Sequence, residues 1–225
     1  MNDNSTMSYY AKLASLSYAT GNRRKNLLES TFRNLQPVAE LSNESTTTLI
    51  DPATGKLYIS FRGTDLSTRK SAKEDLTSDA YLAAGRLTSS KRYKADDALV
   101  KAAVAKYGAE NVTLAGTSLG GRLAQDLANK YGTTAHAFNA GSTPIDVFSA
   151  LNPTSALAKR VKGVVQNKGT IYHYNAVGDP ISAFDVANTL LNGTSKEHQT
   201  FVAPRAYTNP HSLENFIGRA DYAEK

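Results

Sequence analysis

The 225-residue chain contains no cysteine. A disulfide framework and a cysteine-ligated metal are therefore excluded. The compartment stays open, because cysteine-free proteins work in the cytosol, outside cells and in particles. No apolar run comes near the roughly 18 residues that a spanning helix needs. The opening stretch, MNDNSTMSYYAKLASLSYAT, lacks a basic region followed by an apolar one, so no secretory signal is read there. These absences point to a soluble protein, cytoplasmic by default. No internal repeat, low-complexity tract or linker interrupts the chain. Its length suits one domain with a sizeable core, so residues 1–225 are read as a single domain.

Hydrophobic residues make up 40% and charged residues 20%, the balance of an ordinary globular protein. Lys and Arg number 26 against 20 Asp and Glu, a net charge of +6. The cations cluster at Arg23-Arg24-Lys25, Arg69-Lys70, Lys91-Arg92-Lys94 and Lys159-Arg160-Lys162. Solvated surface is the simplest meaning of such clusters. The sharper reading is peripheral attraction to an anionic membrane surface. No aromatic residues interleave with the charges as in a nucleic-acid module, so no nucleic-acid partner is expected. Oligomeric state is not legible.

Hydrophobic spacing gives the coarse organisation. SYYAKLASLSYA over 8–19 reads as a packed first helix, and 20–45 is too polar to assign. TTTLIDPATGKLYISF reads as two strands joined by a tight turn. A helical look around 74–84 precedes a helix over 90–107 that stops at Gly108. A strand over 111–115 is followed by a glycine corner and by a helix to Tyr131, ended by Gly132. Further strands are expected at 134–139, 170–176 and 201–203, with helices at 145–162 and 183–192. Strands alternating with helices from residue 56 onward predict an α/β fold: a mostly parallel central sheet flanked by helices on both faces.

The corner is VTLAGTSLGGRLAQDL, with Ser118 between Gly116 and Gly120. A G-x-S-x-G match alone is cheap, but this one follows a strand and opens a helix, as a nucleophile elbow must. Glycines relieve the strained serine backbone and let strand and helix approach. The bland alternative is a tight turn with a capping serine. Phosphate binding is a third option, although the spacing fits neither common phosphate-loop pattern.

A serine nucleophile needs a base, and in this topology the chain order is serine, acid, histidine. His136 and His173 fall inside expected strands, where packed histidines are the simpler reading. His198 lies in SKEHQTF, read as an exposed loop. His211 lies in TNPHSLENF, after a proline and ahead of an expected helix, where a base can hang from a loop at the sheet edge. His211 is therefore assigned as the base. Asp179 ends the strand IYHYNAVGD and is assigned as the acid, with Asp185 and Asp146 as alternatives in helix-like surroundings. The Leu119 N–H would be one oxyanion donor. Thr64, after the strand ending at Phe61, would supply the other, with Arg62 pinning its loop through a carboxylate pair.

With FRGTD, GTSLGG, VGDP and PHSLENF in order, the chain resembles the class 3 lipases, the fungal-lipase-like branch of the α/β-hydrolase superfamily. The likeness runs from YAKLASLSYA to HSLENF. It implies a Ser118-His211-Asp179 triad, with Thr64 and Leu119 as oxyanion hole. It also implies hydrolysis of acylglycerols or phospholipid acyl esters, with no cofactor and no metal. There are departures. Thr117 stands where the family usually has histidine, and FNAGSTP lacks the usual proline-arginine pattern. The lid-like DLSTRKSAKED is polar, with Leu66 its one large apolar residue. That composition favours short-chain esters, or lipids with anionic headgroups, over neutral oil. The rival readings are a dormant hydrolase shell used for binding or assembly, and hydrolysis of peptide, thioester or polysaccharide acyl groups.

Overall fold

TTTLIDPATGKLYISF folds as its turn residues demand. Asp51 accepts from the Ala53 N–H (2.9 Å) and the Thr54 hydroxyl (2.8 Å), and Gly55 takes φ +72°. The flanking strands β2 (Thr46–Ile50) and β3 (Leu57–Phe61) pair antiparallel, Ile50 opposite Leu57. The structure, a computed structural model, describes residues 3–64, 87–142, 169–192 and 196–218. The helices expected at 74–84 and 145–162 lie outside the described residues, as do Asp146 and the lid-like segment at 65–75.

The sheet has seven strands in the order β1 to β7. β1 (Gln36–Pro37) lies antiparallel on β2. From β3 the pairing is parallel through β4 (Val112–Thr117), β5 (Thr134–Phe138), β6 (Thr170–Ala176) and β7 (Glu197–Val202). Parallel neighbours need long crossovers. Two of these carry α3 (Lys91–Tyr107) and α4 (Leu119–Tyr131), and α5 (Ala183–Asn192) lies between β6 and β7. Side chains alternate between the two faces of each strand. Leu57, Ile59, Val112, Leu114, Ala135 and Ile171 pack with Val100 and Ala103 of α3 and Leu123 and Leu127 of α4. The other face presents Ala115, Phe138 and Tyr174 to Leu13 and Ala14 of α1 (Asp3–Leu16) and to Phe216. Helices thus cover both faces of a mostly parallel sheet. Each fully buried leucine contributes about 1.5–3 kcal/mol relative to exposure.

Helix ends follow their residues. Ser90 caps α3 by accepting from the Tyr93 N–H, and Gly132 closes α4 in the left-handed region at φ 77°. The unassigned stretch 20–45 contains α2 (Gly21–Ser30) and β1. GNRRKNLLES has no fully buried residue, and Leu27 and Leu28, half-buried against the core, are too short a stripe to read. Two expectations are corrected. SLENF is a single 3₁₀ turn, Leu213–Asn215, rather than the start of a helix, because Asn215 is spent on holding the preceding loop. His198 lies in β7, which begins before the expected 201–203, although it is exposed and stacks on Tyr172 at 5.0 Å. Among the described residues no helix is long and apolar enough to cross a membrane.

Candidate active site

Ser118 sits between β4 and α4 with φ 55° and ψ −124°, a conformation costly to any residue with a side chain. Neighbours hold it there. Its N–H donates to the Phe138 carbonyl (3.0 Å), and its carbonyl accepts from Arg122 (3.0 Å) and Gly141 (3.1 Å). The corner has no room for larger residues. A Cβ on Gly116 would stand 2.8 Å from the Gly121 nitrogen, and one on Gly120 would stand 2.9 Å from the Arg62 carbonyl. The start of α4 therefore presses on the backbone of the loop after β3. Leu119 opens α4, 1% exposed, where backbone N–H groups lack helical partners.

Asp179 follows β6 with its side chain wholly buried. It accepts from the N–H groups of Ile181 (3.2 Å) and Ser182 (3.1 Å), and both of its oxygens lie 3.1 Å from His211 Nδ1. Burial alone would raise its pKa. The hydrogen bond to His211, the charge His211 can carry, and the bonds to Ser182 and Ile181 outweigh burial and hold the carboxyl below its usual range. A carboxylate facing Nδ1 makes that nitrogen the protonated one and leaves Nε2 as acceptor. The His211 loop is tied down by two asparagines. Asn139, at φ 42°, donates to the Pro210 carbonyl and accepts from the Ala176 N–H, both at 2.9 Å. Asn215 donates to the carbonyls of Asn209, Pro210 and Ser212 and accepts from Arg205 and Thr208.

Ser118, His211 and Thr64 line one cleft of ≈ 410 Å³ with Ser15, Tyr18, Arg23, Thr117, Ser212, Leu213 and Glu214. The loop bearing Thr64 is gripped through its backbone. The Arg62 carbonyl accepts from Arg92 Nη2 (2.7 Å), and the Gly63 N–H donates to the Tyr18 hydroxyl (2.6 Å). Arg92 is locked by Asp96 at 2.7 Å, with the carboxylate side chain fully buried. Asp96 also accepts from the Thr46 hydroxyl at 2.7 Å. Among the described residues, the Arg92–Asp96 pair grips this loop through the Arg62 carbonyl. Thr117 is 6% exposed, and among the described residues its hydroxyl finds no hydrogen-bond partner.

The other titratable candidates lie away from this cleft. His136 stacks on Tyr10 (3.4 Å) and Tyr172 (4.8 Å), with Nδ1 3.1 Å from the Tyr174 hydroxyl. Burial pushes its pKa down to about 3. His173 is buried with Asp185 (3.1 Å), Glu197 (3.4 Å) and Gln125 (3.1 Å). Burial opposes its charge, but the two carboxylates prevail and raise it to about 9. Asp185 is therefore a partner of His173. Among the described residues no group of three or more acidic or histidine side chains could hold a metal. Sequence reading missed Tyr18, Arg92, Asp96, Asn139 and Asn215 as parts of the site. Of these, Tyr18 carried a signal: it lies in the N-terminal stretch YAKLASLSYA that bears the resemblance.

Sheet, elbow and crossovers together define an α/β-hydrolase fold. No family model matches the chain. No curated protein matches it either. Solved structures do. One is a mutant form of MDLA from Penicillium cyclopium, 14% identical with a TM-score of 0.50, covering 94% of this chain and 83% of its own. Another is a triacylglycerol lipase whose catalytic centre is described as a serine protease triad. It is 16% identical with a TM-score of 0.45, covering 79% of this chain and 72% of its own.

Proposed function

We propose that the chain is a serine carboxylic-ester hydrolase of the lipase/esterase type. The observation that carries the reading is the His211–Asp179 pair facing a strained serine across one cleft. His211 Nε2 removes the Ser118 proton as Oγ attacks the ester carbonyl. Asp179 holds the imidazole and stabilises it when protonated. The N–H groups of Thr64 and Leu119 receive the oxyanion. His211 then protonates the leaving alcohol, and water activated by the same ring releases the acid from the acyl-enzyme.

The cleft favours small, polar esters. Among its described lining residues Leu213 is the one aliphatic side chain, and the rest are hydroxyls, Arg23, His211 and Glu214. A long acyl chain would gain little burial there. Arg23 is exposed and has no hydrogen bond or ion pair among the described residues, so it offers a cation to esters bearing an anionic group.

A panel of p-nitrophenyl esters from acetate to palmitate tests this, run with triolein, phosphatidylglycerol and a succinate half-ester on wild type and Ser118→Ala. The expected order is short and anionic substrates first, palmitate and triolein last, and no turnover by Ser118→Ala. A Ser118→Ala rate near wild type would end the reading, and an unlabelled Ser118 after fluorophosphonate treatment would favour a dormant shell.

A further inference from the structure

We propose that Tyr18 is a positioning residue of the oxyanion hole, clamping the peptide that precedes Thr64; this rests on the ester-hydrolase reading above. The peptide between Arg62 and Gly63 is held at both poles. Its carbonyl accepts from Arg92 at 2.7 Å and its N–H donates to the Tyr18 hydroxyl at 2.6 Å. The next N–H along the chain is that of Thr64. Gly63 has no Cβ to limit its dihedrals, so contacts alone hold the turn. A Cβ there would collide with the Tyr18 hydroxyl and stand 2.7 Å from the Thr117 carbonyl and 3.4 Å from Ser118 Cβ. Phenol, nucleophile and donor loop thus meet around one point. Tyr18 itself is set by its N–H bonding to the Ser15 carbonyl (3.1 Å) just after α1, and it lines the same cleft as Ser118, Thr64 and His211.

The clamp matters most when charge develops on the carbonyl oxygen, because only then does the aim of the Thr64 N–H count. Tyr18→Phe keeps the ring and removes the acceptor. The expected result is a kcat on p-nitrophenyl butyrate lower by about 10-fold, with KM within about twofold. The inhibition constant of an alkylboronic acid, which forms a tetrahedral adduct on the serine, should rise by the same factor. The thermal midpoint should hold, and exchange of the Gly63 amide should accelerate. A variant with wild-type kcat overturns the proposal. So does one whose kcat and midpoint fall together while boronate affinity stays unchanged, which is the mark of a packing residue. Should the variant fail to fold, the wild-type chain still decides, because a Gly63 amide exchanging as fast as an open loop sinks the clamp. If Ser118→Ala keeps its activity, the hydrolase reading fails. If Ser118 is essential and Tyr18→Phe is fully active, only the clamp fails.

Discussion

Asp179 differs from the other acidic side chains of the described chain in what it touches. It is buried, receives two backbone N–H groups, and spans His211 Nδ1 with both oxygens at 3.1 Å. Those bonds favour the charged form, so the carboxylate persists at neutral pH and dictates the imidazole tautomer. Asp179→Asn keeps the shape and changes the tautomer, since a carboxamide can donate to Nδ1. In serine hydrolase triads this swap costs about 10⁴ in kcat. A loss of that order is expected here, with KM little changed and the fold retained by circular dichroism. A rate within tenfold of wild type would mean that another group orients His211. The asparagines beside it show why such residues escape a reading by motif. Asn139 and Asn215 carry no chemistry, and their role exists only because Pro210 and its neighbours fold back onto them.

At the scale of elements, the decisive contact is the first turn of α4 against the loop after β3. Gly120 is the point of closest approach, its missing Cβ facing the Phe61 carbonyl and the carbonyl carbon of Arg62. Gly120→Ala must push two backbones apart. The expected cost is about 1–3 kcal/mol from overpacking and about a 100-fold fall in kcat, because the Thr64 N–H moves relative to Ser118. Denaturant midpoints and steady-state rates measure both, and a variant with wild-type stability and turnover would show that the loop yields. The same contrast explains what the sequence disclosed. Elements set by local periodicity were legible: the hairpin around Asp51-Gly55, β6 at 170–176, α5 at 183–192 and the glycine corner. Thr64, Ser118 and Asp179 lie in short motifs at strand ends and His211 in a loop after β7; Ser118, His211 and Thr64 line one cleft, with Asp179 buried behind His211. α2 was not legible, because only Leu27 and Leu28 of its ten residues meet the core. The Arg92–Asp96 clamp was not, because Arg92 sits in a basic cluster that reads as solvated surface until Arg62 and Thr46 are placed against it. Tyr18 reads as one more aromatic of a packed helix until Gly63 is brought to it.

At the scale of the whole molecule, two buried histidines on neighbouring strands push stability in opposite directions with pH. His136 on β5 is held down to about 3 by burial, against 6.5 when exposed. Between those values the unfolded chain binds a proton that the folded one refuses, so stability falls as pH drops below 6.5. His173 on β6 is held up to about 9 by Asp185 and Glu197. There the folded chain keeps a proton that the unfolded one releases, so its contribution is whole below 6.5 and is lost as pH rises toward 9. Each limb is expected to slope by up to about 1.4 kcal/mol per pH unit, giving a dome with its crest near the ordinary histidine value. Urea midpoints from pH 4.5 to pH 9.5 keep clear of the carboxylates below and the tyrosines above. His136→Phe preserves the stacking between Tyr10 and Tyr172 and removes the titrating ring, so the acid limb should flatten while the alkaline limb stays. His173→Gln should flatten the alkaline limb at a lower overall stability, because Asp185 and Glu197 lose their cation. An acid limb unchanged in His136→Phe would place the proton uptake elsewhere and remove His136 as its source.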